Sequence, residues 1–144
     1  MKENPYRQDR EEMRELLRQY KNLKEGYSHD FIDEESFEMI VDHFDDKDEL
    51  PSAIEAVDFG IQQYPFSSML QIKKADLLIA TRQYREALSL LEQAELLDRN
   101  DINLYILKTD AYLALDQQKK AATLLEEAIG NKPNPLHIGR PPVN

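Results

Sequence analysis

Apolar residues fall along this chain at helical spacing, not in strict alternation. Met13, Leu16, Leu17, Tyr20 and Leu23 form one stripe three and four residues apart. Leu70, Ala75, Leu77 and Leu78 share a face further on, and Ala87, Leu88, Leu90, Leu91 and Ala94 share the next. Each stripe predicts an amphipathic helix. Between the last two lies only Arg82-Gln83-Tyr84, too short for anything but an antiparallel helix pair.

Comparing the chain with itself at fixed offsets shows a period. Ala53, Ala87 and Ala121 are 34 residues apart, and Gly60, Ala94 and Ala128 keep that offset. So do Phe44, Leu78 and Tyr112; Val57, Leu91 and Leu125; and Asp42, Asp76 and Asp110. Pro65 and Pro133 are two periods apart, placed just past second helices, where proline stops a helix. Pro51 falls in the first turn of a second helix, where a missing N–H costs nothing. Small residues at fixed places let two helices approach closely, and Leu at Ala87 or Ala94 would overpack the contact.

These columns, and the stretch Tyr84-Arg85-Glu86-Ala87-Leu88 running to Ala94-Glu95-Leu96-Leu97-Asp98, resemble the tetratricopeptide repeat. The resemblance covers 34–135 as three repeats, 34–67, 68–101 and 102–135. It implies an all-α fold, a right-handed α–α superhelix of antiparallel helix pairs. Residues 1–33 add an N-terminal amphipathic helix and connector, and 136–144 a proline-rich tail. The chain departs from the family pattern at three columns. The first-helix Trp is Phe37, Gln71 and Tyr105; the small residue is Val41, Ala75 and Thr109; the turn glycine is Asp48, Arg82 and Asp116.

The N-terminal helix is expected over residues 9–25, with Asp9 and Glu12 as a capping box and Gly26 as its stop. It packs over the first repeat, serves as a dimerisation or docking helix, or stays a detached segment, the first being favoured. At the other end, Leu124, Leu125, Ala128 and Ile129 belong to a last helix whose apolar face needs a cover. The prolines at 133, 135, 141 and 142 rule out a capping helix there. Leu136-His137-Ile138 folding back, a second chain, or further repeats would each supply the cover, and the last two are favoured.

Charge narrows the partners. There are 18 Lys and Arg against 28 Asp and Glu, a net charge of −10. Nucleic-acid phosphates and anionic membrane surfaces are thereby disfavoured. No cysteine is present, which excludes thiol catalysis, Cys-based metal sites and disulfides. No apolar run is long enough to span a membrane, and the N-terminus has no secretory pattern, so the cytoplasm is the default location. The glycines at 26, 60, 130 and 139 are too scattered for a phosphate loop. His29, His43 and His137 form no metal-ligand pair, and the carboxylate run 45–49 lacks the spacing of a calcium loop. No catalytic residue, metal or cofactor is expected.

The resemblance places a ligand groove along the first helices. Its residues would be Glu35, Glu38, Asp42, Asp45 and Asp46, then Met69, Ile72, Asp76, Ile79 and Ala80, then Asn103, Ile106, Asp110, Leu113 and Ala114. The groove is acidic at one end and apolar towards the other. Family members that hold the carboxylate tails of heat-shock chaperones use Lys, Arg and Asn there, so this chain would repel such a tail. The expected function is a non-catalytic protein-interaction module taking a protein or peptide with basic and apolar side chains. A plain solvated face, with Asp residues paired to Lys73 or Lys108, is the competing reading of the Asp column. Self-assembly, including a homodimer, or membership of a longer array is the alternative function.

Overall fold

The apolar stripes fold as seven α-helices among the described residues, which are 5–27 and 31–130 of a computed structural model. They are α1 (Pro5–Lys24), α2 (Glu34–Asp46), α3 (Leu50–Gln63), α4 (Ser68–Ala80), α5 (Tyr84–Leu97), α6 (Ile102–Ala114) and α7 (Gln118–Gly130). The 131–144 segment, with Pro133 and the expected tail, lies outside the described residues. No strand occurs among the described residues. Helices α2 and α3, α4 and α5, and α6 and α7 pair, and each pair packs on the next.

The period repeats in the hydrogen bonds at both ends of the first helices. Asp33, Ser67 and Asp101, 34 residues apart, cap α2, α4 and α6 by accepting from the Ser36, Leu70 and Asn103 amides at 2.8, 3.1 and 2.9 Å. The Asp33 carboxyl is held below its usual range by its bonds to Ser36, first the side-chain and then the backbone contribution. At the other end, Asp48, Arg82 and Asp116 take left-handed φ values of 62°, 63° and 59°. The amides after them donate to Phe44, Leu78 and Tyr112 carbonyls at 2.9, 2.8 and 2.8 Å, the six-to-one bond of a Schellman cap. The departures from the turn glycine therefore keep the glycine's backbone conformation, and Cβ sterics disfavour that at each of the three.

The alanine notches are closed: Ala53, Ala56, Ala87, Ala94 and Ala111 are fully buried. Gly60 sits where Phe37 and Leu70 come closest, so a Cβ there would lie 3.1 Å from both. Phe37, Gln71 and Tyr105, the column that replaces the family Trp, are all buried. Gln71 and Tyr105 each donate a side-chain hydrogen bond to the carbonyl six residues back, Pro65 and Arg99, at 3.0 and 3.1 Å. Phe37 cannot do this, and packs edge-on against Tyr64 instead.

Helix α1 differs from expectation at its start. It begins at Pro5, because proline fits the first turn, so Asp9 lies inside the helix and caps nothing. Its end is as expected: Gly26 has φ 75° and Tyr27 donates to the Asn22 carbonyl at 3.0 Å. Tyr20 is buried edge-on between Phe44 of α2 and Phe59 of α3 at 6.4 and 5.8 Å. Lys24 lies over the Tyr20 ring and pairs with Glu55 at 2.9 Å. Burial, and then the charges of Glu55 and Asp58, push the Tyr20 hydroxyl far above its usual value. That hydroxyl has no hydrogen-bond partner. In the second repeat the turn is Thr81-Arg82-Gln83, one residue earlier than expected, and Tyr84 opens α5.

Candidate functional site

Curvature follows from which helices touch. Helix α4 packs on both α2 and α6, while α3 and α5, and α5 and α7, are not close neighbours. The first helices thus occupy the inside of the bend. Between them opens a cleft of about 260 Å³, lined by Glu38 of α2, Met69, Ile72, Lys73 and Asp76 of α4, and Asn103 and Leu107 of α6. The cap residue Asp101 closes one edge.

The expected groove residues divide into four groups. Glu38, Met69, Ile72, Asp76 and Asn103 meet in the cleft. Ile72 is its floor: only 6% exposed, it belongs to the core with Leu104 and Tyr105. Asp42, Asp45 and Asp110 lie near enough to act electrostatically on Asp76 without lining the cleft. Glu35, Ile106 and Leu113 are exposed, Ile79 is half-buried, and all four lie outside the cleft. Asp46, Ala80 and Ala114 are exposed at the helix ends.

The acidic column is not uniform. Asp42 accepts from Lys73 at 2.6 Å, across from α4 to α2. Burial opposes the Lys73 charge, but the Asp42 hydrogen bond and the Asp42, Glu38 and Asp76 charges outweigh it and raise its pKa. Among the described residues Asp76 has neither a hydrogen bond nor an ion pair. Its carboxyl is pushed up by burial first and then by Asp45, with Asp110 and Asp42 adding to this against Lys73. Lys108 takes no part: it is buried and pairs with Glu95 of α5. Asp42 is thus paired with Lys73, as the competing reading has it, while Asp76 is exposed and stands among like charges.

Lys73, Leu107 and Asp101 were not expected in the cleft. The spacing 33, 67, 101 of cap residues would have pointed to Asp101, since a residue capping a first helix must lie at the groove's edge. Lys73 sits one position after Ile72 on the same helix, and only the approach of α2 brings it to Asp42.

Antiparallel helix pairs stacked around an inner cleft define an α-helical repeat protein. Residues 51–137 match the tetratricopeptide repeat model, and the chain belongs to the tetratricopeptide repeat family. Comparison with curated protein sequences gave no match. Among solved structures, the chain is similar to the TPR2B domain of yeast Sti1 in complex with pHsp70. The two share 23% identity with a TM-score of 0.63, over 66% of this chain and 76% of that one. It is similar to the first TPR of Spaghetti (RPAP3) bound to an HSP90 peptide, SRMEEVD, at 19% identity and TM-score 0.62, over 72% and 86%. A mutant of MamA matches at 11% identity and TM-score 0.60, over 76% of this chain and 62% of that one. At these identities the likeness speaks for the fold. Among the described residues no helix is long and apolar enough to cross a membrane.

Proposed function

We propose that this chain is a non-catalytic interaction module of the cytoplasm whose inner cleft takes a protein segment carrying a Lys or Arg beside apolar side chains. The observation that carries this is Asp76, an exposed carboxylate at the cleft with no hydrogen bond or ion pair of its own among the described residues, set beside the apolar Met69, Ile72 and Leu107. A ligand ammonium or guanidinium would supply the missing charge, and the like charges of Asp45, Asp110 and Asp42 around Asp76 would add to its attraction. Aliphatic neighbours on the ligand would cover Met69 and Leu107.

The peptide held by one of the similar structures is opposite in charge. The Spaghetti ligand carries two Glu and one Asp against one Arg, and here it would meet Glu38, Asp76 and Asp101. Fluorescence titration with short peptides of matched length, one set basic and apolar and one acidic, tests the reading. Basic peptides should bind, and Asp76→Lys should weaken them at least tenfold while the helical circular dichroism persists. Tighter binding of the acidic set would overturn it.

A further inference from the structure

One surface groove recurs on the first and last helix pairs, and only the first is filled. On the first pair α1 fills it: the Tyr20 ring packs edge-on against Phe44 at 6.4 Å and Phe59 at 5.8 Å, and Lys24 pairs with Glu55 at 2.9 Å. Two periods further on, the positions of Phe44, Phe59 and Glu55 are Tyr112, Glu127 and Thr123. All three line a cleft of about 350 Å³ between α6 and α7. The position of Tyr20 becomes Leu88 of α5, which does not line that cleft. The column thus has Leu in place of the inserted ring and a carboxylate in place of Phe59, and the space stays open.

The lining of the open cleft carries positive charge without a partner. Lys108 is taken by Glu95 of α5. Among the described residues Lys119 has neither a hydrogen bond nor an ion pair, and Lys120 lies over the Tyr112 ring at 5.9 Å without an ion pair. Both stand in the first turn of α7, where the helix end disfavours a cation; in the Lys120 column α5 has Glu86. Glu127 is the one carboxylate in the lining among the described residues. Tyr112 and the buried Leu124 form its apolar part.

We infer that the α6–α7 cleft binds an acidic segment of a partner protein. An aromatic or large aliphatic side chain of that segment takes beside Tyr112 the place that Tyr20 has beside Phe44, and its Asp or Glu faces Lys119 and Lys120. The polarity is the reverse of the first pair, where the inserted helix brings the lysine and the host the glutamate. A carboxylate here relieves two lysines at the positive end of α7. Polyanions are disfavoured as occupants: at a net charge of −10 the chain repels nucleic acid and anionic membranes, whereas a short segment meets only the cleft. The α1 helix of a second copy would bring Lys21 and Lys24 along with its Tyr20, setting lysine against lysine. The lining shares no residue with the inner cleft, so the inference does not depend on what that cleft binds.

Titrating the full chain with an alanine-based peptide carrying Glu residues and one Phe, followed by amide NMR, tests this. Saturable shifts should centre on residues 119–127 and leave Met69 and Asp76 unmoved, and the affinity should fall in high salt. Ala in place of the peptide's Phe should weaken binding about tenfold. K119Q/K120Q should weaken it about tenfold and K119E/K120E further, with unchanged helical circular dichroism. Basic peptides should bind K119Q/K120Q as they bind the parent. No saturable shift would overturn the inference. So would shifts centred on the inner cleft, or binding indifferent to both lysine variants. The same amides shifting with protein concentration alone would also overturn it, giving the cleft to a second copy.

Discussion

The first and last helix pairs share one repeat and end up in different environments. Val57 in the first pair and Leu91 in the second are fully buried, while Leu125 in the same column of the last pair is half open. The first pair is also covered on its outer side, where α1 brings Tyr20 against Phe44 and Phe59. The difference shows that in a stacked fold a residue's burial is decided by its neighbour as much as by its own position. An apolar column read from sequence marks a surface able to be covered, not one that is.

The sharpest way to break this comparison is to truncate the same column at two places. Leu91→Ala should cost about 2–5 kcal/mol, the range for emptying a closed core, whereas Leu125→Ala should stay below about 1 kcal/mol. Urea denaturation of both variants measures it, and equal losses would mean that the last pair is covered after all. Overpacking comes next. Ala87→Leu should cost about 1–3 kcal/mol by forcing α4 and α5 apart at a fully closed notch.

A smaller effect of opposite sign is expected at the turns. Arg82→Gly should gain about 1 kcal/mol and raise the melting temperature by a few degrees, because glycine adopts φ near 63° without the Cβ penalty. Asp48→Gly should gain less, since aspartate tolerates that region better than arginine. At the covered end, Tyr20→Phe should be neutral or stabilising by up to about 1 kcal/mol, as it removes a buried hydroxyl with no partner. A clear loss would reveal a partner for that oxygen.

Asp76→Asn should change stability least, and in a direction set by pH. The folded-state pKa of Asp76 is raised, so the ionised form disfavours folding, an effect fully present above the raised value and gone below the ordinary 3.8. The variant should therefore melt slightly higher than the parent near neutral pH and equally in acid. Thermal melts at the two pH values check this, and a lower melting point at neutral pH would mean that the carboxylate has a favourable partner.

Much of the fold was legible because the repeat writes itself in residue size. The columns through Ala53 and Gly60 placed the helix pairs, since only small side chains allow that approach. Three features were not legible. Asp48, Arg82 and Asp116 looked like losses of a turn glycine, because a residue name does not report φ. The Asp9 capping pattern was a sound local signal, overridden by a proline that starts the helix a turn earlier. In the groove, the period gave the acidic column but not its inequality. Asp42 and Asp76 have the same position in their repeats, and only Asp42 has the lysine of the next first helix within reach. Ile72 reads as a groove residue by position and becomes core because α6 closes over it.

The lysines of the first helices have a bearing on how the molecule comes apart. Lys73 and Lys74 of α4 reach back to Asp42 and Asp58, and Lys108 of α6 reaches back to Glu95. Each of these bonds straddles a junction between successive pairs, and no such tether involves α7 among the described residues. Amide exchange should accordingly run fastest in α7 and slow progressively towards α3, so that the protein unzips from its C-terminal side as a sequence of coupled steps.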